Sequence, residues 1–281
     1  MPLNTPYLAV LLALTAATCW GSADFTGGLG ARRSDAYRSV LVSYSVGLVA
    51  LTIAALARGE VLTTASDLGW GAVAGLSGML GLIFLFRGFA QGRMGIVAPV
   101  SAVLATAMPV VFNAFTAGLP DNLILAGFGA ALTGIWLLSR PERLGGRPVG
   151  LGMAIMAGLG FGGFFITLDQ VGVNAVFWPL VAGRVAAVSV ILLVALAARR
   201  PLRLRQLPLR ILTLSGLLDI SGNLFFLLAI QNGRLDIAAV LASLYPAVTA
   251  ILARITIKEQ LTRLQMVGVS AAMLAIVLIT L

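Results

Sequence analysis

Apolar runs of about 20 residues recur along the whole chain, separated by short polar breaks, and a helix of that length crosses about 30 Å of hydrocarbon. The breaks predict helices near 7–27, 38–57, 68–90, 95–117, 122–139, 150–171, 176–198, 209–231, 236–254 and 263–281. The fold class this predicts is an all-α membrane protein with ten transmembrane helices. The longest polar stretches, 139–149 and 199–208, are short for linkers, and no soluble insertion interrupts the runs. Residues 7–17 have the length of a signal-peptide core, yet no lysine or arginine precedes them and no small-residue cleavage site follows. Thr18 is also bulkier than the residue a lipidated Cys19 would need before it, so the first run is read as a helix that stays.

The break at 139–149 divides the chain into similar halves, 1–140 and 141–281. A shift of 141 residues sets Trp20-Gly21 on Phe161-Gly162, Gly75 on Gly216, Gly81 on Gly222, Phe84 on Phe225, Gly127 on Gly268 and Gly92-Arg93 on Gly233-Arg234. Beyond that pair the first half carries four extra residues, about one helical turn, and VLATAMP (Val103 to Pro109) then matches VLASLYP (Val240 to Pro246). Five helices is an odd number, so the second half enters the membrane from the opposite side and the repeats are inverted. Inverted repeats are the architecture of many secondary transporters, because two equivalent halves can rock about a central site. The competing reading is a duplication that only enlarged the bundle, giving a membrane scaffold or assembly protein without transport.

Composition agrees with lipid as the solvent. The chain is 59% hydrophobic and 10% charged, with mean hydropathy +1.02, against about 25% charged residues in soluble domains. Its net charge of +9 does not point to nucleic acid, because the arginines sit in short loops between apolar runs. Sixteen basic residues, among them Arg33, Arg38, Arg87, Arg93, Arg147 and Arg205, fall at one face, leaving Arg58, Arg184 and Arg234 for the other. By the positive-inside rule the first face is cytoplasmic and both termini are periplasmic, in a multi-pass protein of the cell inner membrane. One cysteine excludes an internal disulfide, and the absence of histidine removes the commonest metal ligand and proton shuttle. No metal or cofactor is expected, and nothing in the sequence specifies an oligomeric state.

Two apparent catalytic motifs fail on context. GLGFGG (Gly158 to Gly163) fits a dinucleotide fingerprint, but it lies in an apolar helix without a preceding strand or a ribose-binding acid. Gly75-Leu-Ser77-Gly78 resembles an intramembrane protease serine motif, whose hydroxyl needs a base such as histidine. With no paired carboxylates on one helix and no phosphate loop, no enzyme is expected. The same glycines, with Gly71, make surfaces on which helices pack closely in lipid.

Candidate site residues are the polar groups at membrane depth, where ionisable side chains cost about 2.5–3.5 kcal/mol and tend to be functional. Asp219 stands mid-way along the eighth helix with Asn223 one turn later on the same face. Their repeat counterparts are Gly78 and Leu82, so the polar spot is not duplicated. Asp219 is a candidate to bind a substrate amine or carry a proton; the other reading is that it neutralises Arg184, roughly 10 Å inside the seventh helix. Arg184 is alternatively a fork for a substrate carboxylate. Asp24 and Arg87, toward the cytoplasmic ends of their helices, are read as a gating or structural pair. Pro109 and Pro246 should bend the fourth and ninth helices and free a carbonyl beside a cavity. Thr106, Ser243 and Tyr245 stand near those prolines, and Trp20 and Ser22 occupy the duplicated region of the first helix. The cavity, with Gly78 on its wall, is expected among helices 1, 3, 4, 6, 8 and 9. Tyr44 faces either it or lipid, while Trp178 is read as an interfacial anchor.

Trp20-Gly21, Pro109, Pro246, and the segment Glu259-Gln-Leu-Thr262 followed by Gln265 and Gly268 resemble the EamA-type, ten-helix branch of the drug/metabolite transporter superfamily. The similarity spans essentially the whole chain. Gly118 departs from it, standing where Glu259 would be repeated, and the charge bias departs from the cytoplasmic termini of several members. The resemblance implies export of small metabolites and points to amino-acid exporters, including those for aromatic amino acids. No ATP-binding motif is present, so the driving force is either a proton gradient through Asp219 or the gradient of the substrate itself.

Overall fold

The computed structural model describes residues 5–90, 94–116, 118, 122–138, 151–199, 207–257 and 263–280. Gly92-Arg93, the break at 139–149, residues 259–262 and the side chain of Gln265 lie outside the described residues. The first half contains α1 (Thr5–Arg32), α2 (Ala36–Arg58), α3 (Ala65–Ala90), α4 (Met94–Thr116) and α5 (Asn122–Leu138). The second contains α6 (Leu151–Leu168), α7 (Phe177–Ala197), α8 (Leu209–Asn232), α9 (Leu235–Ala242), α10 (Tyr245–Ile257) and α11 (Arg263–Thr280). The fold is an all-α membrane protein of about ten helices. Ile53, Phe115, Leu193 and Ile255 are among its exposed apolar side chains; in water such a surface would aggregate, whereas in a bilayer it faces lipid.

The ninth run is the one that divides, into α9 and α10. Pro246 has no N–H for the carbonyl four residues back and its ring crowds that carbonyl. That residue is Ala242, where α9 stops. Ser243 and Leu244 close the break with turn bonds from Ser243 N–H to Ala239 (2.9 Å) and from Leu244 N–H to Leu241 (3.2 Å). In α4, by contrast, the helix continues through Pro109. The expected pair of proline breaks is thus a break in one repeat only, because a proline need cost a helix just one rung of its ladder.

Packing runs between the halves. The main contacts are α1 on α8, α3 on α6, α4 on α6, α3 on α7, α2 on α8, α2 on α7, α1 on α9 and α10, and α5 on α11. Exchanging the halves turns α1·α8 into α3·α6, α2·α8 into α3·α7, and α1·α9/α10 into α4·α6, while α2·α7 and α5·α11 map onto themselves. Glycines sit at the closest approaches in matched positions: Gly75 of α3 lies against the backbone of Gly183 in α7, and its counterpart Gly216 of α8 lies against the backbone of Ser43 in α2.

The chain ends of α2, α6 and α8 are tied together at one end of the bundle. Glu60 accepts backbone N–H bonds from Val176, Phe177 and Trp178, capping α7 with a negative charge. Trp178 donates its indole N–H to the Glu60 carbonyl at 2.8 Å, so this tryptophan docks a loop. Asp67 accepts from Thr63, Thr64 and the Gly172 N–H, and the Gln231 amide donates to Gly172 and Ala175. Beside them, burial and then the nearby Asp236 carboxylate push the Asp169 carboxyl up to about 6. An acid raised in this way binds more protons folded than unfolded from about pH 4 upward. Stability should therefore fall as pH rises through about 4 to 6 and level off beyond. Thermal unfolding across that range is expected to show the slope in the native protein and to lose it in Asp169→Asn.

Candidate functional site: a cleft between two repeat-related walls

Where α1·α8 and α3·α6 face one another lies a cleft with about 500 Å³ of empty space, the open solvent at its mouth included. It is lined by Trp20 and Asp24 of α1, Tyr44 of α2, Gly78 and Leu82 of α3, Phe161, Phe164 and Phe165 of α6, Asp219 and Asn223 of α8, and Tyr245 of α10. The helices that supply it are thus the first, second, third, sixth, eighth and ninth spans. Tyr44, which the sequence left facing either the cavity or lipid, brings α2 to the cleft, and among the described residues α4 supplies none of the lining against expectation.

The polar groups are held in a fixed arrangement. Arg184 of α7, buried behind the cleft, donates through Nη2 to Oδ2 of Asp219. Its guanidinium carbon lies 3.7 Å from the centroid of the Tyr44 ring, a cation–π contact strengthened by the burial of both side chains. A smaller cavity continues past Tyr44 and Asn223 toward Arg184, Leu180 and Gly183. One turn from Asp219, the Asn223 side-chain oxygen accepts the Trp20 indole N–H at 2.8 Å. The Trp20 ring then packs on Phe164, Phe165 and Phe226 at centroid distances of 5.4–6.1 Å. Asp219 is both the partner of Arg184 and part of the cleft wall.

Other expected residues lie elsewhere. Ser22 turns back to its own helix and bonds the Thr18 carbonyl, and Thr106, although buried, does the same to Ala102. Ser243 is fully buried at the break after α9, its hydroxyl without a hydrogen-bond partner among the described residues. Pro246 shapes the turn that presents Tyr245, and Pro109 lies within α4 away from the lining. The expected pairing of Asp24 with Arg87 is corrected: Arg87 lies over the Tyr37 ring at 4.4 Å, and Asp24 faces the cleft. The two sit on different faces of the packed α1 and α3, which depth along a helix does not reveal.

Phe161, Phe164 and Phe165 were not anticipated. The repeat held the signal for two of them, because Trp20 aligns with Phe161 and Asp24 with Phe165. With Gly78 opposite Asp219 and Leu82 opposite Asn223, four repeat-related pairs supply most of the lining. In three of these pairs the α1·α8 wall has the polar member and the α3·α6 wall the apolar one.

Residues 148–281 match the model of the EamA-like transporter family. The second half is thus similar to EamA-like transporters. The matched stretch supplies Phe161, Phe164, Phe165, Asp219, Asn223 and Tyr245 to the cleft. One solved crystal structure is similar over 96% of this chain and 95% of its own, with a TM-score of 0.71 at 18% identity. It shows that both halves, beyond the matched domain, adopt a known fold. No curated protein matches the chain.

Gly78 sets the width of the cleft. A Cβ there would lie 3.2 Å from Phe164 Cδ2 and 3.5 Å from the Tyr44 hydroxyl, close enough to intrude without unfolding the helix pair. Gly78→Ala is expected to leave the protein folded and to weaken binding of a bulky substrate on the order of tenfold, the effect of one methylene in a pocket. A titration of substrate against tryptophan fluorescence measures it.

Proposed function

We propose that the chain is a secondary transporter that exports small metabolites, with amino acids or related amines as the substrate class, across the inner membrane by alternating access. Two inverted five-helix repeats, 1–140 and 141–281, would rock about the cleft and expose it to each side in turn. The observation that carries this reading is the cleft itself, built from matched residues at the junction of the halves. A bundle enlarged for scaffolding has no reason to keep opposed, repeat-related walls around an open volume with a charged floor. The bias of basic residues supports termini on the periplasmic side. Energy comes either from protons exchanged at a cleft carboxylate or from the gradient of the substrate.

The test is efflux from proteoliposomes loaded with a mixture of amino acids and amines, followed by mass spectrometry with and without an imposed proton gradient. Selective loss of some solutes relative to protein-free liposomes is the expected result. Acceleration by the gradient would identify proton coupling, and equal rates would identify a facilitator. Retention of every solute class tried would leave the scaffold reading standing in its place.

A further inference from the structure

The two walls are alike in shape and opposite in chemistry, and this asymmetry bears on what fits between them. The α1·α8 wall carries Asp24, Asp219 and Asn223, whereas the facing α3·α6 wall carries Gly78, Leu82, Phe161 and Phe165. The polar wall has more carboxyl groups than cations to pair with them. Arg184 is engaged by Asp219 and faced by the Tyr44 ring, and Asp24 has no ion-pair or hydrogen-bond partner among the described residues. One carboxyl group therefore stands without a cation in a low-dielectric cleft, opposite an aromatic and aliphatic surface that offers no polar group.

We propose that the cleft selects a cationic amine with an apolar, preferably aromatic, body. Its ammonium lies between Asp24 and Asp219, and its body lies on Phe161, Phe165 and Leu82. The ammonium gives the Asp24 carboxyl the cationic partner it lacks, and aromatic ring faces in the cleft favour it further through cation–π attraction. A free carboxylate on the same molecule would face the Asp24 and Asp219 carboxyl groups, with the Arg184 guanidinium buried behind Tyr44 and Asp219 and not on the cleft lining, so an amino acid binds less well than the amine that lacks its carboxyl. Anions are excluded for the same reason, and a polyhydroxylated neutral solute would leave its hydroxyls unpaired against the apolar wall. This inference rests on the transporter reading and narrows its substrate class to amines without a carboxylate.

The experiment compares phenylethylamine, phenylalanine and 3-phenylpropionate, which share a ring and differ in charge. Binding to the purified protein is read by thermal shift and equilibrium dialysis, and efflux from proteoliposomes is read in parallel. The expected result is that phenylethylamine binds at least tenfold more tightly than phenylalanine, that phenylpropionate does not bind, and that Asp24→Asn erases the preference while Asp24→Glu keeps it. Asp24→Asn keeps the size of the side chain and breaks no ion pair, so its melting temperature should be unchanged or higher, which separates loss of recognition from loss of fold. Equal or tighter binding of phenylalanine or phenylpropionate would overturn the inference, as would a preference unaltered in Asp24→Asn. If phenylethylamine binds selectively and no solute leaves the liposomes, the site assignment stands and the transport reading falls.

Discussion

Replacing Arg184 with methionine is expected to destabilise the protein by ~3–5 kcal/mol, the usual result of removing one member of a buried ion pair. The side chain of Arg184 is 3% exposed and that of Asp219 is 16% exposed, so the carboxylate left behind keeps a little contact with the cleft and the loss should lie toward the lower figure. The physical cause is the uncompensated Asp219 charge beside the unpaired Asp24. The double variant Arg184→Met/Asp219→Leu removes both charges and should regain most of the stability, since apolar replacement of a whole buried pair is often neutral. Reversible unfolding in bicelles of the two single variants and the double gives the coupling. A double variant as unstable as the sum of the singles would show that the pair does not hold α7 to α8. Transport should not return with the fold in the double variant, because Asp219 also forms part of the cleft wall.

Gly75→Val should have a comparable effect for a steric reason. The hypothetical Cβ of residue 75 would fall within the van der Waals radii of the Gly183 carbonyl oxygen and Cα, and backbone atoms cannot rotate away as a side chain can. Overpacking typically costs 1–3 kcal/mol where side chains can adjust, and about 3 kcal/mol or more is expected where two backbones must part. Separation of α3 from α7 would also disturb Tyr44 and Arg184, which lie across the same junction. Gly69→Ala is the matched control, because nothing lies within 4 Å of its Cβ position. Folded yield and melting temperature should fall sharply for Gly75→Val and stay unchanged for Gly69→Ala. A stable Gly75→Val protein would mean that the two helices do not meet there.

Much of the fold was legible because lipid imposes a coarse grammar. A run of apolar residues long enough to span leaves few alternatives to a helix, and the helices begin and end within a few residues of where polar breaks place them. Glycines at matched positions such as Gly75 and Gly216 likewise announced close packing. The division of the ninth span was only half legible: Pro246 predicted a disturbance, yet the same reasoning at Pro109 expected one that α4 does not show.

The site was legible where burial of a charge demands a reason. Asp219, Asn223 and Arg184 stood out for that cause, and the structure brings Arg184 to Asp219. Asp24 was drawn toward Arg87 because both lie at similar depth; rotation about the helix axis, which separates them, is invisible without knowing the neighbours. The phenylalanines of α6 escaped notice because an aromatic residue in an apolar run has no compositional contrast. Only the alignment of one repeat with the other distinguishes Phe161 and Phe165 from the surrounding apolar residues.

The most direct test of alternating access asks whether one point in the cleft is reachable from both sides of the membrane. With Cys19, the single cysteine, replaced by alanine, Leu82→Cys places a thiol on the cleft wall. A membrane-impermeant maleimide is then applied to the outside of proteoliposomes, or trapped inside them, with protein inserted in one known orientation. Labelling from either side is expected, slowed from both by a bound amine. Labelling from one side alone, or from neither, would contradict alternating access.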